Sequence, residues 1–411
     1  MNDLPPGGAR AVARCDALGV APYSDMAGGL YRGYLTPAYT AAQQALAGWM
    51  EAAGMAVRRD PAANLVGRYP GEVADAPALL IGSHIDSVRD AGRYDGPLGV
   101  MLGIECVDAL RTRGRRMAFP IEVYAFGDEE GSRFPAAMLT SRAVAGTLDP
   151  AALDLADGEG VALADAGVDV AAYLDAARAP GSAMAYLEAH IEQGPVLEAD
   201  GLAVGTVTGI AAQLRYEVTV RGMAGHAGTT AMRLRRDALA GAAAMVLAIE
   251  QVARCDNSDL VATVGRIEAL PGAANVIPGE VRFTIDVRSG DAARRDRAAR
   301  AILDRLREIA EARDLELATE LIHDLPASPC DPALMDLMDD ALADAGQPVR
   351  RLVSGAGHDA MVMAALCPTA MLFIRCKGGV SHNPAEHVDP ADAEVALRVM
   401  LGFIERLGAA A

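Results

Sequence analysis

The sequence predicts an α/β protein built from a discontinuous main domain, with a mixed, mainly parallel sheet flanked by helices, and a second domain inserted into it. Three observations carry this prediction. Strand and helix signals alternate through the first third, a β-α-β-β-α-β order fills residues 213–327, and helix–strand alternation returns after Pro326. At 411 residues the chain also exceeds one ordinary compact core. The expected boundaries are 1–212 with 328–411 for the main domain and 213–327 for the insertion.

Thr36 followed by Pro37 reads as an N-cap with a first-turn proline, opening a helix through AYTAAQQALAGWMEAA that Gly54 terminates. NLVGRYPG and ALLIGSHID read as strands, GVMLGIECVDALRTRG as a helix, and FPIEVYAFGDEEGSRF as a strand ending in paired acids. Strand, helix, strand implies a crossover and parallel pairing, and ligands gather at the carboxyl ends of such strands. Residues 147–180 read as short helices and loops, AMAYLEAHIEQGPVLE as a strand or helix, and AVGTVTGI as a strand. The insertion reads as strand LRYEVTVR, helix MRLRRDALAGAAAMVLAIEQVAR, strands LVATVGRIEA and EVRFTIDVR, helix DAARRDRAARAILDRLREIAEAR and strand LELATELI, which is the ferredoxin-like order. Helix ALMDLMDDALADAG, RLVSGAGHDA, strand TAMLFIRCKGG and helix DAEVALRVMLGFIERL complete the main domain.

Lys and Arg total 37 against 55 Asp and Glu, a formal charge of −18 that repels nucleic acid and anionic membrane surfaces. Six scattered cysteines with no CxxC pair favour a reducing compartment. No secretion signal and no apolar run of membrane-spanning length is apparent, so the expected location is the cytoplasm.

The stretch GSHIDSVRDAGRYDGPLG organises the chemistry. His84 and Asp86, two apart, share one face of a strand, which would set Asp86 behind the second ring nitrogen of His84. Asp95 follows in a Gly-rich loop that can turn a second oxygen ligand to the same point. Five of the seven histidines (84, 190, 226, 358 and 382) sit in Gly- or acid-flanked segments. Three of them with Asp95 and the pair Glu129, Glu130 could make a mixed nitrogen and oxygen site for Zn²⁺, Mn²⁺, Co²⁺ or Ni²⁺. An arbitrary pair of glutamates is most often a solvated turn. This pair follows the apolar strand IEVYAF in phase with the other strand-end candidates, so one acid can face a metal while the other takes a proton from water.

GSHIDS, RYDGPLGV, GDEEGSRF, HIEQGPVLE, GMAGHAGTT, NVIPG, SGAGHDA and GGVSHNPAE together resemble the hydantoinase/carbamoylase family of metal-dependent amidohydrolases. That group takes in N-carbamoyl-L-amino acid, allantoate and ureidoglycolate hydrolases and is related to aminoacylases and dinuclear metallopeptidases. The resemblance runs from about residue 60 to 390 in the family's order. It implies two divalent ions on His84, Asp95, Glu130, His190 and His382, with Asp95 as the bridge, Glu129 as general base and Asp86 supporting His84. It further implies that His226, Asn275 and Arg288 complete a neighbouring subunit's site, His226 stabilising the oxyanion and Asn275 and Arg288 holding a substrate carboxylate, and that Gln193 and His358 line the pocket. A homodimer follows from the same resemblance, with the inserted domain serving dimerisation and as a lid.

Arg215 stands where the allantoate and ureidoglycolate enzymes of the family resemble this chain in carrying Arg and the carbamoyl amino acid hydrolases tend to carry Trp. This favours allantoate as the small-molecule substrate, with N-carbamoyl-L-amino acids or ureidoglycolate as alternatives and an aminoacylase or dipeptidase more distant. RYDGPLGV and FPIEVYAFGDEEGSRF look equally like the carbamoyl amino acid branch. Ala231 departs from the family's usual proline after HAGTT, without removing a functional group. A non-catalytic scaffold is disfavoured because every candidate ligand is present.

Overall fold

A computed structural model describes residues 4–410. The chain divides into two compact units, one of residues up to Thr208 with Cys330–Leu352 and Ala356 onward, the other of Gly209–Pro329 with Val353–Gly355.

In the first unit the strands lie in the order Ala56–Arg59, Leu65–Tyr69, Ile121–Phe126, Ala78–His84, Ala183–Ile191, Thr369–Ile374, Val204–Ile210. The run from Ile121–Phe126 through Thr369–Ile374 is parallel, and the flanking pairs are antiparallel. Every residue of Ala78–His84, Ile121–Phe126 and Thr369–Ile374 is buried, as parallel strands covered on both faces require. The parallel register sets His84 opposite Phe126 and His190 opposite Phe373, so the segments that follow these strands leave the sheet at one edge. AMAYLEAHI is therefore a strand, and Val196–Ala199 is only a short helical turn beyond it.

The helix Pro37–Ala52 is capped by Thr36, whose hydroxyl accepts from the Tyr39 amide. A further helix, Gly8–Leu18, escaped the sequence reading because Gly7 gives it no side-chain cap. Tertiary charge pairing holds it instead. Arg10 and Arg14 reach Glu105 of the helix Pro97–Thr112 at 2.7 and 2.8 Å, all three being buried.

In the second unit, Ile267–Leu270, Glu280–Ser289, Ala212–Arg221 and Glu316–Leu325 form an antiparallel sheet in that order, and Val261–Thr263 also pairs with Glu280–Ser289. LVATVGRIEA is thus two strands rather than one. Thr263 faces Asp286 and Ile267 faces Phe283, so the stretch between them holds one extra residue, a bulge that contains Gly265. Val218, Val220, Phe283, Ile285 and Val287 pack with Ala242, Met245, Ile249, Ile302 and Leu306 of the helices Ala238–Asp256 and Ala292–Ala312. By alternation, Arg215, Glu217, Arg282, Asp286 and Arg288 belong to the opposite, polar face of the sheet.

Two expectations about the first of these helices are corrected. It begins at Ala238 rather than Met232, because the Asp237 carboxylate caps it by accepting from the Ala240 amide. With a mean hydropathy of 1.4 over a membrane-length window it is also apolar enough to span a bilayer, contrary to the sequence reading. Alanine supplies seven of its 19 residues, and the stripe Ala238, Ala242, Met245, Ile249 is buried in this unit's core.

Candidate metal centre

The strand Ala78–His84 ends at His84, so Asp86 lies past it and strand alternation does not relate the two. His84 Nδ1 instead lies 3.1 Å from the main-chain oxygen of Asp86 and 3.7 Å from its carboxylate. The Asp86 carboxylate reaches across to the next loop, accepting from the amides of Glu129 and Glu130 at 3.2 and 3.3 Å. Asp86 thereby holds the acid pair as well as the His84 segment.

Asp95 is at the centre. Its Oδ1 lies 3.1 Å from His190 Nε2 and 3.7 Å from His84 Nε2, while its Oδ2 lies 3.4 Å from His382 Nε2. His382 Nε2 is 3.3 Å from Glu130 Oε1, and Glu129 Oε2 is 4.0 Å from His84 Nε2. Donor atoms of His84, Asp95 and His190 lie within 4.8 Å of one another, as do those of Asp95, Glu130 and His382 and those of His84, Glu129 and Glu130. Asp95 therefore offers one oxygen to one group and the other oxygen to a second. Gly96 makes the approach possible, with φ +83° and no side chain where a Cβ would fall 2.6 Å from the His84 ring.

Asp95 Oδ1 and His190 Nε2 are both buried and, although 3.1 Å apart, make no hydrogen bond. Two bare donors facing each other inside a cluster of carboxylates and imidazoles suit a divalent cation, which needs lone pairs and not protons. The residues present fit such a group.

The electrostatics follow from burial. It acts to raise Asp95, but the imidazoles of His190 and His84 override it and hold the carboxyl well below the usual range. Burial pushes Glu129 well above its ordinary value, with Asp359, Glu130 and Asp86 adding to it and His84 opposing. Burial likewise lifts Asp86 to about 6 and Asp128, next to the acid pair, to about 9. Bonding to Glu130 raises His382 to about 8. His358 is lowered well below the usual histidine range by burial and by His190, whose ring centre is 4.3 Å away. Asp128, Gln193 and His382 all take left-handed backbone conformations, φ 56°, 56° and 53°, so the loops carrying the cluster are strained where they meet it.

Gln193 joins the centre, its Nε2 donating to Asp95 Oδ2 at 2.9 Å. In the second unit, Asp286 accepts from Arg215 Nη2 at 2.9 Å and from Arg288 Nε at 2.7 Å, and Gln213 bonds the same carboxylate. The two arginines are thus neighbours. His226 and Asn275 are also neighbours, because His226 pairs with Val276, and both are exposed. These two groups are far apart within one chain. The Glu280 end of the central strand is the one next to Val276, and from Glu280 to Arg288 it runs about 27 Å at ~3.4 Å per residue. Asn275 and Arg288 of a single chain therefore do not meet.

Sequence reasoning passed over Ser381, which donates to Asp95 Oδ2, and the buried acids Glu188 and Glu386. Glu188 accepts from Ser83, Tyr186 and the Ala360 amide. Strand alternation with His190 is a signal that could have found Glu188; Glu386 had only its place in VSHNPAEH.

The sequence profile of Peptidase family M20/M25/M40 matches residues 80–406. An N-carbamoyl-L-amino acid amidohydrolase of Geobacillus stearothermophilus is 43% identical over 92% of this chain and 94% of its own length. An allantoate deiminase of Arabidopsis thaliana is 40% identical over 96% of this chain and 81% of its own. Among solved structures, a hydantoinase/carbamoylase family amidase from Burkholderia multivorans superposes with a TM-score of 0.90 at 36% identity, covering 97% of each chain. With the donor cluster at the strand edge and likeness along nearly its whole length, this chain belongs to peptidase family M20/M25/M40 and, within it, to the hydantoinase/carbamoylase amidohydrolases.

Proposed function

We propose that the chain is a dinuclear metal amidohydrolase that cleaves a ureido C–N bond in a small substrate bearing a carboxylate, with allantoate as the leading substrate. The observation that carries this reading is the division of Asp95, one oxygen toward His84 and His190 and the other toward His382 beside Glu130. These five residues would hold two divalent ions, and Zn²⁺, Mn²⁺, Co²⁺ and Ni²⁺ all suit the donor set. Bound there, divalent ions would supply Lewis acidity to lower the pKa of water and polarise the carbonyl under attack.

Glu129 takes the proton from the attacking water and delivers it to the departing nitrogen. Burial favours its protonated form, and divalent charge held by the neighbouring donors would favour the carboxylate a base requires. Asp86 keeps that carboxylate aimed by gripping the Glu129 and Glu130 amides. Arg288 holds the substrate carboxylate, and Arg215, tethered to the same Asp286, donates to a second ureido group. Gln193 and His358 line the pocket. The distance between Arg288 and the pair His226, Asn275 supports a homodimer in which a second copy supplies that pair, His226 stabilising the oxyanion. In this reading residues 213–327 form a ferredoxin-like dimerisation and lid domain, which the strand order of the sheet supports. Six free cysteines suit a cytoplasmic enzyme.

A second reading, an N-carbamoyl-L-amino acid hydrolase, is favoured by the 43% identical Geobacillus relative. Ammonia release from metal-replete protein decides between them. Release from allantoate, with ureidoglycine and carbon dioxide, supports the first. Release only from N-carbamoyl-L-amino acids selects the second, and faster turnover of N-acetyl or dipeptide substrates removes both.

A further inference from the structure

Asp95 and His382 lie in loops about 290 positions apart in sequence, and something must hold those loops in register. Glu386 is four residues past His382 and buried at 5% exposure. Its Oε1 accepts from the backbone amides of Tyr94 at 2.7 Å and Asp95 at 3.1 Å. Its Oε2 is buried without a hydrogen-bond partner. The side chain lies on Gly92, where a Cβ would fall 2.2 Å from the Glu386 carboxyl carbon. Gly92 is not among the positive-φ glycines, so contact with Glu386 is what excludes a side chain there. The Glu386 loop is itself fixed. Its amide donates to the Asn383 carbonyl, the Asn383 side chain accepts from Ala385, and His387 meets Tyr94 edge-on at 6.3 Å.

We infer that Glu386 is a positioning residue for the metal centre: by gripping the Asp95 amide from the His382 loop, it sets where the Asp95 carboxylate stands between the two donor groups. The inference rests on the metal-centre reading above. The peptide amide directly precedes the Asp95 Cα, so a shift of that amide carries Oδ1 away from His190 and Oδ2 away from His382 together. Outer partners of this kind typically change metal affinity about 10- to 100-fold.

The test is Mn²⁺ and Zn²⁺ affinity and stoichiometry, by chelator competition on the full chain, for wild type, E386A, E386Q, E386M and G92A. E386A loses both accepted bonds and is expected to bind the more weakly held ion about 10- to 100-fold less tightly. E386Q keeps an oxygen in the Oε1 position and is expected to stay within about threefold of wild type, whereas E386M, which fills similar space without that acceptor, is expected to weaken like E386A, a split that loss of packing alone does not predict. G92A pushes the carboxylate away and is expected to behave like E386A, which carries the test if E386A does not fold. Wild-type affinity in both E386A and G92A overturns the inference, as does E386Q weakening as far as E386A. Absence of Mn²⁺ and Zn²⁺ binding in wild type itself would instead sink the metal reading, and the inference with it.

Discussion

The donor cluster of the first unit and the arginine pair of the second are both arrangements of charge around one aspartate, and they are built in opposite ways. Asp95 is buried, receives two strand-end histidines and a loop histidine, and keeps one oxygen bare. Asp286 lies on the polar face of an antiparallel sheet, and its oxygens are taken up by Arg215, Arg288 and Gln213. In the first arrangement a buried carboxylate oxygen and a buried imidazole nitrogen are left without hydrogen bonds, which suits a divalent cation. In the second, the guanidiniums are already oriented by their partner and partly exposed, Arg215 at 41% and Arg288 at 30% of the side chain, which suits selection of an anion.

Removing metal should break the first side of this contrast most severely. Chelation is expected to take turnover to background and readdition of Mn²⁺ or Zn²⁺ to restore it; activity that survives exhaustive chelation, checked by elemental analysis, would mean that Asp95 serves structure only. Glu129→Gln comes next, with kcat lower by about 10²- to 10⁴-fold and metal content unchanged. Unaltered turnover in that variant would take the base away from Glu129.

On the other side, Arg288→Ala is expected to raise KM for a carboxylate substrate about 10- to 100-fold, as loss of a charge-assisted bond worth ~1.5–3 kcal/mol implies, with kcat changed much less. A kcat loss at constant KM would move Arg288 into the chemical step and erase the contrast. Arg215→Trp should shift the ratio of kcat/KM from allantoate toward N-carbamoyl-L-amino acids by roughly tenfold or less, as exchange of a polar donor for an apolar surface suggests.

The smallest effect concerns acid stability. Burial works to raise Asp286, but Arg288, Arg215 and Gln213 hold it below the usual range. A carboxyl lowered on folding contributes stability that is present above its unfolded pKa of ~3.9 and lost as pH falls through the folded value. Thermal melts should therefore show wild type losing its advantage over Asp286→Asn below about pH 4, and a constant advantage down to the lowest pH would contradict the pairing.

Legibility in the sequence followed the range of the interaction that decides each feature. The strands ALLIGSH, IEVYAF and TAMLFI announce themselves as apolar runs, and Thr36–Pro37 announces a helix start, because burial pattern and capping are local. The helix Gly8–Leu18 was hidden because a buried ion pair with Glu105, over ninety positions away, stands in for a cap. Asp86 was legible as a supporting acid, but its grip on the Glu129 and Glu130 amides was not, since nothing in HID says where the next strand ends.

By itself the sequence determined which residue types stand at the strand ends, and so the class of chemistry open to the chain, because side-chain identity and parallel crossover rules are local properties. Only the tertiary structure decided that Asp95 divides its oxygens between two donor groups, that Arg215 and Arg288 share one carboxylate, and that Glu386 ties the Asp95 loop to the His382 loop. Those are distances between segments separated by tens to hundreds of residues, set by sheet register and packing rather than by spacing along the chain.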